Sequence, residues 1–216
     1  MVMMQSQTIL QPGTPAPDFT LPAIHEQRSV SLCDYRGNNL LLALFVGLYC
    51  PFCRRNIAQL GSARDKLRAQ GLETLGVVAT ELDNARLYFK YRPSRLALVA
   101  DPDLVTHRLF GVPRPEVSDA MMQEMSTLRV NPNGYLPEPM PIVEGAELLD
   151  RQDGYHRTEA DQRDIERAWP QLKGQFLIDA EGVVRWSNME CGTDGLAGVA
   201  RFPSDDELLA AARACL

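Results

Sequence analysis

Residues 39–46, NLLLALFV, are nearly all apolar with no alternation, and a turn-like Gly47 follows them. A strand with one wet face would alternate with period two, and a buried helix would need about ten or more residues. A short run bounded by glycine therefore predicts a strand covered on both faces, the central parallel strand of an α/β sheet. The rest of the chain has to place layers on both sides of it.

Residues 51–70 supply one layer. Cys53, Ile57, Leu60 and Leu67 recur at helical spacing among arginine, asparagine and glutamine, which predicts an amphipathic helix. Pro51 suits its first position, Lys66 and Arg68 complement the dipole in its last turn, and Gly71 suits a left-handed cap. A second buried run, ETLGVVAT (73–80), completes a βαβ unit with a right-handed crossover. NARLYFKYR reads as a short helix and LALVAD as a third strand. DPDLVTHRLFG then predicts a helix capped by Asp101, with Pro102 at its first position and Gly111 ending it. Upstream, PGTPAPDFTLP is too rich in proline for a helix and should run extended toward a first strand signal in SVSLCDYRG.

The alternation lapses at 112–172, which reads as an insertion. SDAMMQEMSTL can be helical, with methionines 121, 122 and 125 packing the insertion; NPNGYLPEPMP is irregular; TEADQRDIERAW carries a capping box from Thr158 to Asp161. GQFLIDAEGVVRWSN predicts an antiparallel hairpin turning at Ala180, Glu181 and Gly182, and PSDDELLAAARACL a last helix with Ser204 and Glu207 as its capping box. The expected organisation is α/β, a single domain over 1–216 with a long insertion at about 112–172 before the C-terminal hairpin.

With 216 residues, 45% of them hydrophobic and 23% charged, one sizeable core is within reach. The net charge of −6 and scattered basic residues argue against a nucleic-acid partner. No stretch approaches the roughly 18 apolar residues of a membrane span, and MVMMQSQTILQPGTPAPDF has no charged region followed by an apolar one. The expectation is a cytoplasmic chain with no membrane partner. Cys33, Cys50, Cys53, Cys191 and Cys215 are too few and too irregular for a disulfide framework, so interest falls on the close pair.

Cys50 and Cys53 both lie in the first turn of the 51–70 helix. Unsatisfied backbone N–H groups and the positive end of the helix dipole favour thiolate at Cys50. Its pKa is expected to fall from about 8.5 into roughly the 3.5–7.5 range, and Cys53, three residues on, can close a disulfide with it. A zinc site would need four ligands, whereas one C-x-x-C supplies two, and His25, His107 and His156 are scattered. A packing role would make Cys53 a small buried hydrophobe and Cys50 an incidental neighbour. Redox use is preferred because Cys-Pro-aromatic-Cys directly follows a buried strand. Tyr49 and Phe52 read as an apolar collar, Arg54 and Arg55 as solvated helix-surface cations, and Cys33 and Cys215 as structural. Cys191, in a glycine-rich loop, reads as an idle thiol, with a distant resolving role as the alternative.

The segments PGTPAPDFTLP, VSLCDYRG, LLLALFVGLYCPFCRRNIAQL, LVADPDLVTHRLFGVP and QFLIDAEGVVRW resemble, in order and spacing, the alkyl hydroperoxide reductase and thiol-specific antioxidant family, the peroxiredoxin-like branch of the thioredoxin superfamily. The resemblance implies a thioredoxin-like fold, a central mixed β-sheet flanked by helices. Laid over the family's Pro-x-x-x-Thr-x-x-Cys, it puts Cys53 at the peroxidatic position, Cys50 at the threonine and Val46 at the proline, so two of three positions depart. Where thioredoxins place a cis-proline this chain has Lys173, matching in charge the arginine usual in peroxiredoxins. A cation there would lower a thiol pKa and stabilise a departing hydroxide; the plain alternative is a solvated lysine at a strand's mouth. Pro170 is a further candidate for a cis bond, although most X-Pro bonds are trans.

The expected activity is that of an antioxidant thiol oxidoreductase cycling Cys50 and Cys53, with Lys173 assisting and neither cofactor nor metal required. Its substrate is a peroxide or, in the thioredoxin-like alternative, a protein disulfide; its reductant is a cellular thiol system of thioredoxin or glutathione type. A homodimer is compatible with this class. The rival of another class is a non-catalytic thioredoxin-fold binding module or redox sensor, which an ordinary cysteine pKa would reveal.

Overall fold

The computed structural model describes residues 9–216; the reading of the first eight as part of a segment without a leader lies outside the described residues. Thr20–Pro22 (β1) and Ser29–Ser31 (β2) pair as an antiparallel ribbon, and Leu32–Tyr35 is a 3-10 turn. The expected central strand follows as β3 (Asn39–Phe45), then α1 (Pro51–Arg68), β4 (Leu72–Val78), α2 (Leu82–Tyr91), β5 (Ala97–Ala100) and α3 (Val105–Leu109). Residues 112–172 contribute α4 (Asp119–Thr127), the short strands β6 (Arg129–Val130) and β7 (Met140–Pro141), α5 (Ile142–Gln152) and α6 (Glu159–Ala168). β8 (Gly174–Ile178), β9 (Val184–Met189) and α7 (Asp205–Cys215) complete the described chain.

Five strands form a mixed sheet in the order β5–β4–β3–β8–β9, with β3, β4 and β5 parallel and β8 and β9 antiparallel to their neighbours. β3 is central, and its unbroken apolar run has the anticipated cause. Leu41, Ala43 and Phe45 pack with Ile57 and Leu60 of α1, Phe89 of α2 and Leu208 of α7. Leu40, Leu42 and Leu44 face the other way, onto Phe19, Val30, Leu32, Phe110 and Val112. Each large apolar side chain so buried contributes roughly 1.5–3 kcal/mol relative to exposure. Both expected capping boxes are formed, at Thr158–Asp161 and Ser204–Glu207.

Several expectations are corrected. The helix expected after Asp101 starts only at Val105, because Leu104 takes a left-handed φ of 56°. Asp101 still caps it from four residues upstream, its carboxylate accepting from Val105 N at 3.0 Å and Thr106 N at 2.8 Å. α1 ends through a right-handed Ala69, and Gly71 takes φ +75° two residues later. α4 buries none of its residues, so its methionines do not pack a core of their own. Cys33 is exposed and has no structural burial.

Arg54 is also no surface cation. Its Nη1 donates to Leu48 O at 2.8 Å, its Nη2 to Asp150 Oδ1 at 2.6 Å, and its guanidinium lies 3.8 Å from the centre of the Tyr155 ring. Arg55 Nη2 reaches Asp153 Oδ1 at 2.6 Å, and Tyr135 Oη donates to Gln59 Oε1 at 2.9 Å. These contacts bind the 112–172 segment to the first half of α1. No helix among the described residues is long and apolar enough to cross a membrane.

Two stability predictions follow from buried polar groups. Asp150→Ala removes the nearer counter-charge of the Arg54 guanidinium, whose side chain is 3% exposed, leaving it Asp153 Oδ2 at 3.4 Å, and should cost about 3 kcal/mol in urea denaturation. The double replacement Arg54→Met, Asp150→Leu should recover most of it. His107 is fully buried, neither ring nitrogen has a partner among the described residues, and burial lowers its pKa from 6.5 to about 4. Between those values the unfolded chain binds a proton that the folded chain refuses. Stability is therefore complete above the unfolded pKa and falls by roughly 3 kcal/mol as pH drops toward the folded one. His107→Leu should flatten that part of the urea-midpoint profile, and an unchanged slope would refute the assignment.

Candidate active site

The chain leaves β3 at Phe45 and reaches α1 through five residues held from both sides. Leu48 N donates to Thr80 Oγ1 at 3.1 Å, Cys50 N to Gly47 O at 3.1 Å, and Arg54 takes the Leu48 carbonyl. Gly47 is required by close approach, since a Cβ there would lie 2.7 Å from the Tyr49 ring. Pro51 opens the helix, so Cys50 becomes its N-cap with extended φ/ψ of −88° and 112°. Its sulfur accepts from Cys53 N at 3.3 Å, the bond a serine or aspartate cap would make with oxygen.

The two cysteines differ sharply. Cys50 is half-buried, whereas Cys53 is 0% exposed and packs among Val46, Tyr49, Ala79, Leu104 and Ala168. Donation from the neighbouring Cys53 thiol is the main cause lowering the Cys50 pKa to about 7. Burial opposes it; the Lys173 ammonium and the Cys53 backbone N–H add to it. Cys53 is pushed well above its ordinary value because it donates to Cys50, is buried, and faces the Cys50 charge. The accessible sulfur thus carries the charge and the hidden one keeps its proton.

Lys173 is 1% exposed, which overturns the alternative of a solvated lysine. It precedes β8, and its Nζ donates to Ala200 O at 2.9 Å and lies 3.5 Å from Glu190 Oε1. Burial alone would pull its pKa down, but Glu190 and the two cysteine sulfurs more than offset that, so it stays protonated. Glu190, just past β9, had no signal in the sequence: an acidic residue at a strand end reads as solvated, yet it is buried here.

Cys50 opens onto a cleft of about 340 Å³, with the buried Cys53, Lys173 and Glu190 in its lining and walls that are otherwise chiefly apolar. Tyr49 and Phe52 flank the pair as expected. The 112–172 segment contributes Met121 and Met125 from α4, Ile142 and Val143 from α5, and Trp169 to the lining. The Trp169–Pro170 bond is cis, and Pro170 lies on the rim. Cys191 also lines the cleft, but burial and neighbouring Glu190 push its thiol up to about 11. No cluster of metal-ligating side chains occurs among the described residues.

Similarity to known proteins agrees with this architecture. Residues 12–138 match the AhpC/TSA family, a stretch that contains both cysteines and stops short of Lys173 and Glu190. The chain is 28% identical over 103 residues to "Putative peroxiredoxin bcp" of Haemophilus influenzae, covering 48% of this chain and 66% of that one, just under two thirds of its length. The fold resembles the peroxidoxin BcpB of Mycobacterium tuberculosis, with a TM-score of 0.58 at 14% identity over 96% of this chain and 99% of that one. The reduced 2-Cys peroxiredoxin of Plasmodium vivax gives 0.58 at 16% identity over 96% of each. With more than half of its length matched and a peroxiredoxin-like sheet beneath its cysteine pair, the chain belongs to the AhpC/TSA family.

Proposed function

We propose that this protein is a two-cysteine thiol peroxidase in which Cys50 attacks and Cys53 resolves. The observation that carries the reading is the asymmetry of the pair: a half-buried Cys50 whose sulfur accepts the Cys53 backbone N–H and whose pKa is lowered to about 7, a fully buried Cys53 thiol, and a buried ammonium alongside. In the first step the Cys50 thiolate attacks the outer peroxide oxygen. An S–O bond forms, the O–O bond breaks, sulfur gives up two electrons, and the alkoxide or hydroxide that departs takes a proton. Lys173 stabilises both the thiolate and that departing anion. Cys53 then displaces hydroxide from the sulfenic acid, forming the S–S bond and, with its own proton, releasing water. A thioredoxin- or glutathione-type thiol returns the disulfide to dithiol by exchange. With this cycle goes the reading of a cytoplasmic chain, in a compartment whose thiols are kept reduced, and of residues 1–216 as one domain with 112–172 inserted.

This assignment reverses the overlay on the family motif, which set Cys53 at the peroxidatic position. A thiol that is fully buried and held protonated is a poor first nucleophile. The same asymmetry supports a second reading, protein disulfide reduction, since sequential exchange also needs an accessible thiolate followed by a hidden thiol.

Cys50 should be alkylated by iodoacetamide at a rate that rises with pH through a midpoint of about 7. Cys53→Ala, which removes the strongest cause of that shift, should move the midpoint upward. Cys50→Ser should abolish oxidation by peroxide, whereas Cys53→Ser should leave a sulfenic acid that dimedone traps. The opposite pattern would restore Cys53 as the attacking residue.

Lys173→Met should raise the Cys50 pKa by about 1 unit and slow peroxide reduction by more than that shift explains, because the departing anion loses its partner as well. Exchange with a model protein disulfide should slow only by the pKa effect. Peroxide turnover untouched by Lys173→Met would favour the disulfide reductase.

A further inference from the structure

We propose that Glu190 is a positioning residue of this site: its carboxylate fixes the Lys173 ammonium beside the Cys50–Cys53 pair and locks that placement to the cleft wall at Ala200. The proposal rests on the peroxidase reading, in which the ammonium acts on thiolate and departing anion.

Glu190 holds Lys173 at both ends of the residue. Its Oε2 accepts from Lys173 N at 2.9 Å, and its Oε1 lies 3.5 Å from Lys173 Nζ. The same Oε1 accepts from Ala200 N at 2.5 Å, while Lys173 Nζ donates to Ala200 O at 2.9 Å. Both backbone polar groups of Ala200 are therefore held by this ion pair. Ala200 takes φ +63°, a left-handed conformation that a residue with a Cβ keeps only when its surroundings impose it. With the backbone bond from Glu190 N to Lys173 O at 3.1 Å, five contacts among three residues leave a four-carbon side chain, ordinarily rich in rotamers, with one placement.

Neutralising a buried lysine would be a simpler role, but the field at Cys50 argues for more. The Glu190 carboxylate by itself disfavours thiolate at both cysteines. At Cys50 the pull of Lys173 outweighs that push. A carboxylate whose direct effect opposes the chemistry serves it only through the cation that it places.

The test is a double-mutant cycle on the second-order rate of Cys50 oxidation by cumene hydroperoxide, normalised to titratable thiol, with thermal midpoints alongside. Glu190→Gln in the wild-type background should slow oxidation about tenfold. In the Lys173→Met background the same substitution should leave the rate unchanged or raise it, because only a repelling charge is then removed. The double variant should melt above Lys173→Met, whose carboxylate is buried without a counter-charge. Equal losses in both backgrounds would make Glu190 merely structural, and gains in both would make it a passive charge; either overturns the proposal. Should Lys173→Met fail to fold, Glu190→Asp decides, since it keeps the charge and withdraws the carboxylate by one methylene: a loss of about fivefold is expected, and a wild-type rate overturns the proposal. If the wild-type protein does not turn over peroxide at all, the peroxidase reading falls, whatever Glu190 does.

Discussion

The two-sided burial of β3 is the constraint from which the site descends. A strand with helices on one face and the N-terminal segment on the other can release its chain only at its carboxyl end. The chain leaves there through Gly47, and α1 turns back over the sheet with its N-terminus at the sheet's edge. Cys50 stands at that point because Pro51 cannot donate a backbone hydrogen bond and tolerates only the first helical turn. One covered strand and one proline thus decide which sulfur meets solvent.

From that placement the two cysteines acquire opposite characters without any difference in chemistry between them. Cys50, outside the helix, receives the Cys53 N–H and the end of the helix dipole. Cys53, one turn along the buried face, meets Val46, Leu104 and Ala168 and keeps its proton. Each reinforces the other, since a thiol that donates stabilises the thiolate that accepts, and the thiolate in turn resists loss of the thiol's proton.

Periodicity carried the sheet, the main helices and the cysteine pair, because those features depend on which face of an element is apolar, and that is written in residue spacing. Leu41 and Leu42 show the logic: adjacent leucines on opposite faces can both be buried only in a strand covered twice. Arg54 was misread and Glu190 missed for one reason. An arginine on a helix or a glutamate at a strand's end looks the same whether it meets water or a counter-charge, and the counter-charge comes from a distant segment: Asp150 lies 96 residues from Arg54, and Glu190 lies 17 from Lys173. Asp101 illustrates the same limit at short range. Its cap was legible, but the left-handed turn at Leu104 that delays the helix was not.

Residues 139–216 lie beyond the stretch matched to the family, and the attachments of the 112–172 segment explain why it can form a cleft rather than a separate layer. α5 is tied to α1 by the buried Arg54–Asp150 pair, and Tyr135 is tied to Gln59, so the segment lies over the N-terminal half of α1. α4 buries nothing yet faces Met121 and Met125 into the space that remains. Thioethers on flexible stems form an adaptable apolar wall opposite a charged sulfur and a buried ion pair. Such a wall keeps bulk water from the ammonium and carboxylate, and the weaker local screening strengthens the attraction that holds Lys173 in place.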